Sequence, residues 1–273
     1  MSTAAPVRPA VRVAVAQVEV GADRAANRAA AAAAVDDAAR VRSDLVVLPE
    51  YASAYDRLGV GVHLAEPLDG PFVGTLRERA AATGVAVIAG TSLPCDDPRL
   101  AVNAVVAIAG DGAIAGVYRK VHLYDAFGTR ESDVLEAGPA DAEPLVLPVG
   151  AVTVGVLTCY DLRFPESARR VVDAGADVLV VPAAWVDGPL KAMQWRALAV
   201  ARAIESTAAV VAVGMAGRGV TGRSLVVGPD GVVLLELGEE PALAWADLDP
   251  GRIAEVRATN PSLANRRYRV LPA

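Results

Sequence analysis

Cysteine and histidine are scarce in this chain. Only Cys95, Cys159, His63 and His122 occur among 273 residues. Two thiols cannot build the disulfide framework of a small secreted scaffold, and they suit a reducing cytoplasm, which is the expected location. Two histidines poorly supply a histidine-based zinc site, so no metal is expected, and no cofactor is implied. Long apolar runs are also missing. The alanine-rich stretch Ala25–Val41 is broken by Asn27, Arg28, Asp36, Asp37 and Arg40, which makes it a soluble helix and not a membrane span. The opening M-S-T-A-A-P-V-R-P-A has no apolar core of signal-peptide length. Positive charge is not in excess: the formal net charge of −6 weighs against nucleic acid or an anionic membrane as partner.

Apolar residues make up 53% of the chain and charged residues 21%, enough to fill a sizeable core and too apolar for a disordered chain. No Pro/Gly/Ser-rich linker divides it. The segment Phe127–Pro144 joins two halves but carries charge and reads as an ordered excursion. One domain over residues 1–273 is therefore expected, with a core of about 11–250 and a C-terminal tail, 251–273.

The pattern of elements reads as follows. Val11–Val18 is a strand, and Asp23 caps a helix to about Arg42. Asp44–Leu48 is a fully apolar strand ending at Pro49-Glu50. Gly70-Pro71 opens a helix through Thr83 that Gly84 closes. Val85–Gly90, Ala101–Ala109 and Ala113–Arg119 are strands, the last two joined by the hairpin chemistry of Gly110-Asp111-Gly112. The order then returns: strand Ala151–Leu157, helix Pro165–Ala174 stopped by Gly175, strand Asp177–Val181 ending at Pro182, helix Leu190–Ser206, strand Ala208–Gly214, and a hairpin of Ser224–Val227 and Val232–Leu235. D-L-V-V-L-P at Asp44–Pro49 matches D-V-L-V-V-P at Asp177–Pro182, so the chain reads as two β-α-β-α-β-β halves. Strands alternating with helices imply parallel sheets with right-handed crossovers. Strands apolar on both faces then imply an α/β fold of four layers, an α-β-β-α sandwich, in which each sheet meets helices on one side and the other sheet on the other.

Three ionisable residues follow the carboxyl ends of predicted strands: Glu50, Lys120 and Cys159. Ligands of α/β sheets bind outside those ends, so the three can converge despite their separation. Free cysteines are mostly small buried hydrophobes. A cysteine between a buried strand and a helix start is different, because backbone N–H groups there favour an anion. A carboxylate, an ammonium and a thiol together suit acyl transfer: one takes the thiol proton, the thiolate attacks a carbonyl carbon, and the ammonium steadies the oxyanion, helped by a backbone N–H after the cysteine.

L-V-V-L-P-E at Leu45–Glu50, Y-R-K-V-H-L-Y-D at Tyr118–Asp125 and T-C-Y-D-L-R-F-P-E at Thr158–Glu166 together resemble the nitrilase superfamily of carbon–nitrogen hydrolases, and the likeness runs from Val11 to Val270. The resemblance implies a catalytic triad of Glu50, Lys120 and Cys159, with Glu131 as the family's second glutamate and Tyr160 in support. It also implies the four-layer sandwich and a homodimer or higher homo-oligomer. Tyr160-Asp161-Leu162-Arg163-Phe164 is similar to the amidase branches, such as omega-amidase and deaminated glutathione amidase, whose substrates are amides that also carry a carboxylate. The expected activity is thus thiol-dependent hydrolysis of a small-molecule primary amide. A nitrilase or N-carbamoyl amino acid hydrolase would use the same triad, and a non-catalytic binding protein could keep the fold.

Other residues carry weaker expectations. Tyr51, Tyr55, Arg163 and Trp185 are substrate-binding candidates. Arg163 could fork a carboxylate, or Asp161 and Arg163 pair only with each other. His122 is read as orienting its neighbours, and Cys95 as an inert loop thiol. Gly214–Gly222 has the glycines of a phosphate loop but leads into a strand, so it is discounted. The tail Asn265–Val270, with Arg266, Arg267 and Arg269, is read as reaching toward a partner. Two departures from the family pattern, Gln194 before Trp195 and Ser206 after Glu205, bear on the pocket wall.

Overall fold

Side-chain alternation along the strands decides which layer each residue meets. In the strand Val11–Gln17, Val11, Val13 and Val15 enter a core shared with the second sheet, whereas Ala14 and Ala16 pack beneath helices. The computed structural model describes residues 10–272. It contains two six-stranded sheets and a short two-stranded one. Three apolar clusters separate four layers. One lies between the large sheets, one between the first sheet and helices Arg24–Arg40 and Pro71–Thr83, and one between the second sheet and helices Pro165–Asp173 and Lys191–Ser206. This is the α-β-β-α sandwich.

The caps form as the sequence predicts. The Asp23 carboxylate accepts from the N–H groups of Ala25 at 2.9 Å and Ala26 at 3.1 Å. Gly84 ends its helix in the left-handed region, at φ 77°, where a Cβ would be strained.

The first sheet runs Ala242–Leu248, Val11–Gln17, Leu45–Val47, Ala86–Pro94, Ala101–Ile108, Ile114–Arg119. The second runs Val146–Val149, Val152–Val156, Val178–Ala183, Ala209–Gly214, Leu225–Val227, Val233–Glu236. Each has three parallel strands, then a strand pair continuing antiparallel, with an antiparallel edge strand beside its first strand. The internal repeat is thus a repeat of topology. In each half the β-α-β-α-β alternation ends in a hairpin, so three strands close the half.

The differences from the sequence reading have local causes. The strand that the sequence ends at Val181 runs through Pro182 to Ala183. Its parallel neighbour Val152–Val156 supplies partners only up to Val180, so the missing proline N–H breaks no ladder. The Pro182 carbonyl instead accepts from Thr158 Oγ1 at 2.9 Å. Two edge strands were unread. Val146–Val149 contains the exposed Pro148, and Ala242–Leu248 is half-exposed and alanine-rich, which weakens its strand signal. Residues 251–273 are not tail throughout. Pro250–Thr259 is a helix capped by Asp249, which accepts from Gly251 N at 2.7 Å, and its Ile253 joins the core between the sheets. Among the tail arginines, Arg266 is engaged within the chain, paired with Asp173. Among the described residues, no helix is long and apolar enough to cross a membrane.

Candidate active site

The two sheets present the carboxyl ends of their parallel strands at one end of the sandwich. The first sheet delivers Glu50 three residues after Leu45–Val47, and Lys120 directly after Ile114–Arg119. The second delivers Cys159 three residues after Val152–Val156. The chain must pass closely here: a Cβ on Gly90 would collide with the backbone of Glu50 and Tyr51, so only glycine lets Glu50 sit where it does.

Glu50 is 1% exposed and fully hydrogen-bonded. Its Oε1 accepts from Lys120 Nζ at 2.9 Å and from Asn103 Nδ2 at 2.7 Å, and its Oε2 accepts from the backbone N–H of Ala184, across the sheets, at 2.7 Å. Lys120 is equally buried and also donates to Glu131 Oε2 at 2.9 Å. Glu131 in turn accepts from the N–H of Tyr124 at 2.7 Å and the hydroxyl of Tyr51 at 3.2 Å. Burial works against the Lys120 ammonium, but Glu131 and Glu50 outweigh it and hold its pKa well above the ordinary lysine value. An ammonium has three protons. Two are committed to the carboxylates, which leaves one for another oxygen.

Cys159 opens a 3₁₀ turn, Cys159–Arg163, with φ at +45°. A non-glycine residue in that region costs about 1–2 kcal/mol, so the turn must be held by its surroundings. Asp161, wholly buried, does this. Its carboxylate accepts from Thr158 N at 3.1 Å, Tyr118 Oη at 2.7 Å and His122 N at 3.2 Å, and meets His122 Nδ1 at 2.8 Å. Asp161 therefore does not pair with Arg163, and His122 is bonded to Asp161 through both its backbone N–H and its ring. The pull of the turn toward an anion is opposed by the surroundings of the thiol. Burial first, then the charge of Glu50, push the Cys159 thiol well above its usual range, with Lys120 opposing. Iodoacetamide alkylation of Cys159 is therefore expected to keep accelerating with pH beyond the ordinary thiol value of roughly 8.5. A plateau below pH 8 would mean a preformed thiolate instead.

The carbon–nitrogen hydrolase family model matches residues 12–258. The chain belongs to the carbon–nitrogen hydrolase family. Among curated proteins, the deaminated glutathione amidase of Escherichia coli O157:H7 is 42% identical over 226 residues, 82% of this chain and 85% of that one. The human deaminated glutathione amidase is 32% identical over 275 residues, 93% of this chain and 82% of its own. Among solved structures, a hydrolase of this superfamily from Xanthomonas campestris, with an arsenic adduct in its active site, superposes with a TM-score of 0.84 at 29% identity and covers 96% of this chain and 99% of that one. A glutamate-to-glutamine mutant of the Nesterenkonia sp. AN1 amidase superposes with a TM-score of 0.80 at 26% identity over 97% of each chain. That structure holds the acetamide moiety of fluoroacetamide added covalently at the active-site cysteine.

In this carbon–nitrogen hydrolase a pocket of about 230 Å³ opens over the thiol. Glu50, Tyr51, Tyr55, Glu131, Cys159, Tyr160, Arg163 and Trp185 line it, and Lys120 lies directly beneath, bonded to both glutamates. All nine residues singled out from the sequence thus meet at one place. Tyr160 stands edge-on to Tyr124 and Phe164. Arg163 donates to Gln194 Oε1 at 2.8 Å, so Gln194 supports a lining residue without lining the pocket itself, and Trp195 packs against Trp185 with its indole N–H on the carbonyl of Arg223 at 2.9 Å. Cys95 is remote, its Sγ beside the carbonyls of Asp97 and Leu100.

Sequence reasoning missed Asn103, the Ala184 N–H and Lys191. Asn103 is the single amide in an otherwise apolar strand, and that oddity was a usable signal. Lys191 is 7% exposed, donates to Tyr124 Oη at 2.7 Å and lies 3.6 Å from the centre of the Phe127 ring. Burial, and then Arg163 nearby, lower its pKa from the ordinary lysine value. Among the described residues, no group of three or more His, Cys, Asp or Glu side chains is arranged to hold a metal ion.

Proposed function

We propose that the chain is an amidase that releases ammonia from the primary amide of a small carboxylate-bearing compound. The observation that carries this reading is the contact set of Glu50, hydrogen-bonded to Lys120 at 2.9 Å and lining one pocket with Cys159. Glu50 takes the thiol proton as Cys159 Sγ bonds to the amide carbon. The oxyanion formed is held by the remaining Lys120 proton and by the backbone N–H after Cys159, which begins a turn and has no intrahelical acceptor. Collapse breaks the C–N bond, and ammonia leaves with the proton from Glu50. Water then gives a proton to Glu50 and its oxygen to the thioester carbon. The C–S bond breaks, Cys159 recovers its proton, and the acid departs.

The branch and substrate class are supported by the deaminated glutathione amidases among the curated relatives and by the covalent adduct on the cysteine of the Nesterenkonia amidase. We take residues 1–273 as a single catalytic domain that works as a cytoplasmic homodimer. A sedimentation mass equal to one chain would contradict the dimer. The test of the activity is ammonia release from primary amides, including omega-amides of dicarboxylic acids, beside a nitrile and an N-carbamoyl amino acid. Turnover of an omega-amide is expected to exceed both others. Turnover of the nitrile or the carbamoyl compound alone would move the enzyme to another branch on the same triad.

A further inference from the structure

Two cations line the pocket together, Arg163 and Lys191, and among the described residues neither is paired with a carboxylate. The Arg163 guanidinium lies 4.8 Å from the centre of the Trp185 ring and 5.6 Å from that of Phe127. Lys191 Nζ lies against the same two rings, at 6.0 Å and 3.6 Å. Every acidic side chain lining this pocket is otherwise engaged. Glu50 and Glu131 hold Lys120, and Asp56 accepts from the N–H of Leu58 at 2.9 Å. Lys191 spends one proton on the neutral Tyr124 hydroxyl, and Arg163 spends one N–H on the neutral Gln194 amide. Among the described residues, the buried Nε–H of Arg163 has no acceptor.

Like charges buried together without an anion repel and lose solvation, which is costly unless something repays it. The depressed pKa of Lys191 registers that cost. A structural role would supply a carboxylate from the chain, as the protein does for Lys120 through Glu50 and Glu131. Here the acceptors are neutral, and donors remain free on both side chains.

We infer that Lys191 and Arg163 form a clamp for a carboxylate of the substrate, with Lys191 the residue that selects an amide bearing a second, anionic end. This rests on the amidase reading for the identity of the other end, and it names the group that reads the distal one. The product of such an amide is a dicarboxylate. One carboxyl group is made at Cys159, and the other lies between Lys191 and Arg163. Tyr124 couples the two ends, since its hydroxyl holds Lys191 while its N–H holds Glu131.

The experiment needs no turnover, so it can fail or succeed apart from the amidase assignment. The rate of Cys159 alkylation by iodoacetamide is measured with increasing succinate, glutarate, adipate or uncharged pentane-1,5-diol. In the wild type at least one dicarboxylate is expected to protect Cys159 at a concentration 10-fold or more below the diol. In Lys191→Met the concentration of that dicarboxylate needed for protection is expected to rise by about 10- to 100-fold, the worth of a charge-assisted hydrogen bond. Lys191→Arg, which keeps the charge, is expected to retain most of the preference, and it guards against a fold defect in the methionine variant. Equal protection by diol and dicarboxylates in the wild type would overturn the clamp. An undiminished preference in a folded Lys191→Met would overturn the role of Lys191.

Discussion

Cys159→Ala is expected to reduce ammonia release by roughly 10⁴-fold or more, to the background of the assay. Removing the nucleophile of a covalent mechanism leaves only binding and oxyanion stabilisation, and losses of that order follow when residues act as a unit. Stability is expected to change little. The substitution deletes one sulfur at the floor of an open pocket, and alanine meets the same backbone strain at φ +45°. Ammonia release and a thermal melt, measured side by side, separate the two quantities. Cys95→Ala, at a loop thiol far from the site, is the control and is expected to retain full turnover. A folded Cys159→Ala that still turns over at a tenth of the wild-type rate would end the thioester mechanism.

Lys120→Met removes the cation that two buried carboxylates share, so it is expected to damage activity and stability together. Loss of an oxyanion donor costs about 10²- to 10³-fold in rate. Breaking a buried ion pair by deleting one partner costs about 3–5 kcal/mol, because the charge left behind is neither solvated nor paired. Here two such charges remain, Glu50 and Glu131, one with 1% and the other with 10% of its side chain exposed. Their mutual repulsion adds to the loss. Denaturant unfolding of variant and wild type side by side measures this. A deficit below about 1 kcal/mol would mean that the carboxylates find other partners when Lys120 is gone.

What could be read from the sequence follows from where the chemistry sits. Glu50 and Cys159 each close a short apolar run, and Lys120 closes a hairpin strand, so pattern alone placed them at strand ends, where an α/β sheet binds its ligands. The four layers followed from strands apolar on both faces. The residues that complete the site carry weaker signals. Ala184 acts through its backbone N–H, which no side-chain code announces. Lys191 begins a helix, where a cation opposes the helix dipole and a solvated side chain is the default reading. Turn chemistry near the Cys159 thiol favours an anion, whereas burial and the neighbouring Glu50 push its pKa up, and these are visible only in three dimensions. The same holds for Asp161, which pairs with Tyr118 and His122 from the other sheet and not with its sequence neighbour Arg163.

The matching strand order of the two sheets has a consequence for how the chemistry is divided. Matching D-L-V-V-L-P to D-V-L-V-V-P sets Ala183 where the first half has Glu50, and counting from the ends of matching strands sets Leu237 where it has Lys120 and Val20 where the second half has Cys159. The frame is doubled, yet the proposed reactive set occurs once, with the base and ammonium we assign held by one half and the nucleophile by the other. On that mechanism neither half could perform the reaction alone, because each holds groups that the other lacks. The counterpart positions serve packing: Ala183 and Val20 are buried, and Leu237 rests against the inter-sheet core. A doubled scaffold would then carry two complementary parts of one reaction centre, set where the halves meet.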